Sequence, residues 1–114
     1  MIRALAFNQP FASMMLQGKI ETRCRYTNVR GEVLIYSCLV PYPQHKVFEL
    51  SGAEQIYRIT QALKDESTAQ LNGFAIAVGE LVDCRKMSPA DTDKCFVIYD
   101  SMLWCWIFEN VRRI

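Results

Sequence analysis

Apolar side chains recur along this chain in two periods, and each period predicts an element. The run IRALAF, Ile2 to Phe7, predicts a strand. In NQPFASMMLQG, Phe11, Met14 and Met15 stand at i, i+3 and i+4, with Asn8 and Gln9 at the cap, Pro10 near the first turn and Gly18 as a stop, so a short helix is predicted. GEVLIYSCLV, Gly31 to Val40, is rich in β-branched and aromatic residues and predicts a largely buried strand that VPYP ends. SGAEQIYRITQALKDE opens with a capping-box pattern, Ser51 to Glu54, and puts Ile56, Ile59 and Leu63 on one face of an amphipathic helix reaching about Lys64. After a turn at Asn72-Gly73, NGFAIAVGELVDCRKM predicts a long strand in which Gly79 marks a bulge or a close backbone approach. CFVIYD and MLWCWIFENV predict further strands. Five or six strands, two helices and no series of long crossovers make an α+β, mainly β domain: a small mixed β-barrel with two peripheral helices.

The 114 residues suit a single domain spanning 1–114, large enough to bury roughly two-thirds of its unfolded surface without staples. The apolar runs are far shorter than the roughly 20 residues of a membrane span, and the N-terminus lacks a charged region followed by a signal-type apolar stretch. The expectation is a soluble, cytoplasmic protein with no membrane partner. The five cysteines are odd in number, dispersed and without a CxxC pair, which argues against a disulfide framework and a zinc site. Most of them read as reduced core thiols, and no metal or cofactor is implied. The single histidine, His45, lies in the Pro-flanked VPYPQHK and reads as a surface-loop residue instead of a partner for a cysteine nucleophile.

Charge changes the picture at one place. Against a formal net charge of +1, Lys19, Glu21, Arg23, Arg25 and Arg30 crowd into the segment before the Gly31 strand. Glu21 and Arg23, two apart in an extended segment, share a face and can pair as a solvated salt bridge worth under about 1 kcal/mol. A tight group of donors around one carboxylate also suits a polar nucleobase or a phosphate-bearing ligand, and the company of Lys19, Thr22, Arg25 and Arg30 favours that reading. Farther along, strict alternation puts Phe74, Ile76, Val78, Glu80 and Val82 on one strand face. Glu80 then either interrupts an apolar row and needs Lys19 or Arg23 as its cation, or tips back to solvent at a bulge after Gly79.

LAFNQPFASMMLQGKIETRCRYTNVRGEVLIYSC, with AVGELVDC downstream and WCWIFENVRRI at the end, resembles the ASCH domain (activating signal cointegrator homology) of the PUA-like superfamily through nearly the whole chain. The pieces stand in that family's order. The resemblance implies a PUA-like barrel with a cleft between barrel and helices, and binding residues Gln9, Lys19, Glu21, Arg23, Arg25, Tyr36 and Glu80. In that family the lysine usually stands three positions before the glutamate, whereas Lys19 stands two before Glu21, and a histidine usually occupies the place of Tyr36.

The family is associated with RNA or modified nucleosides, so the partner implied here is RNA or a small nucleoside or nucleotide. On that reading Lys19, Arg23 and Arg25 neutralise phosphate, and Glu21 or Glu80 accepts from an exocyclic amino group. Small members that hydrolyse N4-acetylcytidine imply a second reading, an amidohydrolase with Glu80 as general acid or base, Lys19 at the oxyanion and Thr22 or a water as nucleophile. The enzymes' threonine falls at Glu21, one step from Thr22. A third reading is a protein-interaction domain with a degenerate cleft. Tyr26, Tyr36, Trp104 and Trp106 are candidate stacking platforms, with the tryptophans read first as core because they alternate with Phe108.

Overall fold

The computed structural model describes residues 2–114, and their spine is one mixed sheet. The strands β1 (Arg3–Phe7), β2 (Glu21–Arg23), β3 (Gly31–Ser37), β4 (Ala75–Lys86) and β5 (Trp104–Arg113) lie in the order β1-β3-β4-β5-β2. β1 runs parallel to β3, and every other neighbouring pair is antiparallel. The sheet curls into a half-barrel whose edge strands, β1 and β2, approach one another without pairing. Side chains join them instead: the Arg23 guanidinium donates to the Ala6 carbonyl at 2.8 Å and lies 5.0 Å from the Phe7 ring centre.

The helical segments pack against this sheet in two clusters: Ala12 and Met15 meet Phe7, Ile35 and Ala77, and Val47 and Ile59 join Cys105. α1 (Phe11–Met14) continues into a 3-10 turn, Met15–Gln17, and ends at Gly18 in the left-handed region (φ 86°), as the spacing predicts. Its Phe11, Met14 and Met15 are buried. α2 (Gln44–Ala62) starts well before the expected Ser51, with Pro43 as an extended N-cap, and breaks at Gly52 (φ 74°). Ser51 therefore lies at a kink inside the helix, and its buried hydroxyl has no hydrogen-bond partner among the described residues. His45 is exposed, as expected, but in the first turn of α2 and not in a loop.

The expected CFVIYD strand is a second correction. Asp91 and Ser88 form a capping box that starts a 3-10 turn, Pro89–Asp91, and α3 (Thr92–Cys95) follows and stops at Phe96 in the left-handed region (φ 58°). Residues 97–103 run on as a loop, tied to the α2 kink by the Ile98 amide, which donates to the Leu50 carbonyl at 2.8 Å.

In β4 the strict alternation expected does not hold. Ile76 of the expected row is buried, but so are Ala77, Gly79, Leu81 and Cys84, whereas Phe74 and Val82 are exposed and Val78 and Glu80 are half-buried. The β4–β5 register slips between Val78 and Glu80 and again between Leu81 and Asp83. At Gly79 a Cβ would sit 3.0 Å from Val111 Cγ2 and 3.4 Å from Phe108 Cδ2, so β5 packs closely against a backbone that carries no side chain there. Phe7, Met15, Ile35 and Ala77 fill one part of the interior and Val33, Leu81 and Trp106 another. Phe11, Met14, Val47, Ile59, Cys95 and Cys105 pack between sheet and helices.

Candidate ligand-binding cleft

The turn at Gly18 delivers Lys19 to the interior while the chain is still anchored to α1. The Lys19 amide bonds to the Met14 carbonyl, and the Ile20 amide bonds to Lys94. β2 then pairs Glu21 with Trp106 and Arg23 with Trp104. Its period of two sets Glu21 and Arg23 on the same face. Lys19 Nζ donates to Glu21 Oε1 at 3.3 Å and to the Ile20 carbonyl at 3.0 Å, and Arg23 Nε donates to Glu21 Oε2 at 2.9 Å. One carboxylate thus accepts from two cations. The side chains of Lys19, Glu21 and Arg23 are 1%, 9% and 25% exposed, so this is no solvated surface pair. Charges withdrawn from water to this degree persist only when each is paired and hydrogen-bonded.

Aromatic rings hold the cations from outside the triad. Lys19 Nζ lies 4.9 Å from the Phe11 ring centre, and the Arg23 guanidinium lies between Phe7 and Trp106, at 5.0 and 5.6 Å. The triad forms the floor of a cleft of about 480 Å³, bounded by the end of β1, the start of α2 and the loop after α3. Phe7, Phe11, Tyr42 and Tyr99 supply aromatic wall; Asn8, Glu49 and Asp100 supply polar groups, and Thr22 also reaches it. Burial pushes the Tyr42 phenol above its ordinary value and the Glu21 carboxylate adds to the shift, so Tyr42 stays a neutral donor near pH 7. Lined by two cations and three carboxylates, the cleft is not a phosphate funnel.

Lys19, Glu21, Thr22 and Arg23 meet at this cleft, and the other sequence candidates stand elsewhere. Glu80 lines a second, shallower concavity with Arg30, Gly31, Glu32, Leu81 and Val82, its β-partners being Glu32 and Glu109. The structure therefore does not bring Glu80 to Lys19 and Thr22 as the amidohydrolase reading requires. Gln9 is buried and structural: its amide donates to Ser13 Oγ and to the Thr68 and Leu71 carbonyls, and its oxygen accepts from the Ser13 amide. Tyr36 is exposed and donates to the Gly73 carbonyl at 2.8 Å. Arg30 is spent on the Thr27 and Val29 carbonyls. Arg25 is exposed beside the cleft, its guanidinium 5.3 Å from the Trp106 ring centre while the Trp106 indole N–H donates to the Arg25 carbonyl at 3.0 Å.

Asn8, Tyr42, Glu49, Tyr99 and Asp100 were not singled out by the sequence. Tyr42 reaches the cleft because its amide bonds to the Gln9 carbonyl, a long-range contact that no local pattern announces. For the loop of Tyr99 and Asp100 a signal did exist: Ser88-Pro89-Ala90-Asp91 is a helix start, and it excludes a strand immediately after it. Neither a scan against protein-family models nor a search of curated proteins returned a match for this chain.

Proposed function

We propose that this chain is a nucleotide- or RNA-binding module of the ASCH, PUA-like kind, whose cleft over Lys19, Glu21 and Arg23 receives a nucleobase. The observation that carries the reading is the buried triad, with three charges held at fixed positions under an aromatic-walled cleft of about 480 Å³. A site of that size, mostly apolar with a few convergent polar groups, suits a planar heterocycle. Glu49 and Asp100 give acceptors for an exocyclic amino group, and Asn8 and Tyr42 add neutral polar groups. The balance of two cations and three carboxylates favours a base over a phosphate inside the cleft. The same reading puts the protein in the cytoplasm, where its five free thiols stay reduced.

The test is a thermal-shift panel of adenosine, cytidine, guanosine and uridine with their 5′-monophosphates. At 100 times its dissociation constant, a ligand that binds only the folded state adds about 2.7 kcal/mol of stability. Cytidine or adenosine, which present an exocyclic amine, should shift the melting temperature more than uridine. A flat panel removes the cleft as a nucleobase site and favours the protein-interaction domain.

A further inference from the structure

Beyond the cleft, the open end of the half-barrel carries cations and aromatic rings that none of the triad's contacts require. Tyr26 is 52% exposed and stands edge-to-face with Trp104, ring centres 5.2 Å apart. Lys86 Nζ lies 4.8 Å from the Trp104 ring centre, and Arg25 covers Trp106 from the solvent side. Strand register explains the grouping: Lys86, Trp104 and Arg23 are successive partners across β4, β5 and β2. Among the described residues Arg25 and Lys86, like Arg3, Arg30, Lys46, Lys64 and Lys94, have no carboxylate within salt-bridge distance, and Lys86 Nζ donates to the Ser101 carbonyl at 3.3 Å; of these cations, Arg25 and Lys86 are the two that stand against tryptophan rings. The ledge adjoins the cleft directly, because Cys24 and Leu103, next in sequence to Arg25 and Trp104, line it.

We propose that this ledge, Arg25, Tyr26, Trp104 and Lys86, binds the nucleotide next to the one in the cleft, so that the ligand is a single-stranded nucleic acid and not a free nucleoside. It rests on the reading of the cleft given above. Unpaired cations beside an exposed ring match an anionic backbone carrying stackable bases. They match an acidic peptide less well, since such a peptide offers no ring to stack on Tyr26. The two sites divide the work: the cleft, with its excess of carboxylates, takes a base, and the ledge takes the phosphate and the neighbouring base.

The experiment compares adenosine, cytidine and uridine with fluorescein-labelled rA8, rC8 and rU8, by thermal shift and by anisotropy at two salt concentrations. At least one octamer should bind ten-fold or more tightly than its own nucleoside. Tyr26→Ala should weaken that octamer about ten-fold, and Lys86→Gln should lower the slope of log K against log salt by about 0.7; neither should alter nucleoside binding. Tyr26→Leu, which keeps apolar volume and removes the ring, replaces Tyr26→Ala if the latter fails to fold by circular dichroism. Nucleosides that bind beside octamers that gain nothing overturn the ledge and leave the cleft standing. Octamer binding that ignores both Tyr26 and Lys86, or that polyglutamate displaces as well as unlabelled octamer does, also overturns it. Octamers that bind in a Tyr26-dependent manner without any nucleoside binding support the ledge and remove the cleft reading; no binding of either kind removes both.

Discussion

Arg23 on β2 donates a hydrogen bond to the carbonyl of Ala6 on β1, 2.8 Å across the seam of a sheet whose two edges share no ladder. The same guanidinium donates its Nε–H to Glu21 at 2.9 Å. Arg23 is thus both seam closure and cleft floor. A lysine there has no planar fork with which to make both bonds. Arg23→Lys is expected to destabilise the fold by about 1.5–3 kcal/mol, the range for a hydrogen bond to a charged group. Hydrogen exchange should then accelerate at the two edges before β4. Protection unchanged in β1 and β2 would show that the seam is held by other contacts.

Among the described residues, Glu21 is the only carboxylate that Lys19 contacts within salt-bridge distance. Glu21→Ala leaves a nearly inaccessible ammonium unpaired and should cost about 3–5 kcal/mol in urea unfolding. The double change Lys19→Met, Glu21→Leu removes both charges and keeps volume. It should recover most of that loss while abolishing ligand binding. A double variant as unstable as Glu21→Ala would mean that packing, not the unpaired charge, sets the cost.

Asp91 gives the fold an acid-sensitive contact. Its oxygens accept two bonds of 2.8 Å from Arg85, and Oδ2 also accepts from the Ser88 amide and hydroxyl. The Arg85 guanidinium, opposed by burial and helped by Ser88, holds the carboxyl well below its usual value of 3.8. Because the folded value lies below the unfolded one, the contribution is complete above about pH 4 and is lost as pH falls further. Asp91→Asn should lower stability near neutrality and flatten the fall between pH 4 and pH 2. Parallel wild-type and variant curves through that window would place the acid sensitivity elsewhere.

The five thiols should separate by position. Burial, and then the neighbouring Cys105, push Cys95 up to about 12, and burial also raises Cys105. Cys24 is exposed and Cys38 half-buried. Ellman's reagent at pH 8 should titrate Cys24 quickly and Cys38 slowly, leaving Cys84, Cys95 and Cys105 until guanidinium is added. Rapid labelling of Cys95 in the native protein would require the loop after α3 to open readily.

Gly79→Ala tests the close packing of β5 on β4. The new methyl group would meet Val111 Cγ2 at 3.0 Å. Overpacking of this kind should cost about 1–3 kcal/mol. A neutral Gly79→Ala would show that β5 yields there.

What the sequence determined by itself were the features that short-range physics decides. Phe11, Met14 and Met15 recur at helical spacing and end at a glycine free to adopt positive φ, so α1 and its stop were legible. The glycine bulge in β4, the β-branched richness of β3 and the crowding of Lys19, Glu21 and Arg23 before it were legible for the same reason. What only the tertiary structure decided was how β4 is buried, since Ile76-Val78-Val82 and Ala77-Gly79-Leu81 are both apolar enough to be buried and the folded strand buries Ile76 together with Ala77, Gly79 and Leu81. Val111 and Phe108 of β5 pack closely on Gly79, the β4–β5 register slips there, and Glu80 faces a different concavity from Lys19. Likewise Gln9 read as a site residue until it met Thr68 and Leu71, and Tyr42, Tyr99 and Asp100 became cleft walls only when α2 and the loop after α3 docked beside the seam. Contacts between residues 30 or more apart in sequence carry no local periodicity, so their outcome is set by packing volume and hydrogen-bond satisfaction in the folded molecule.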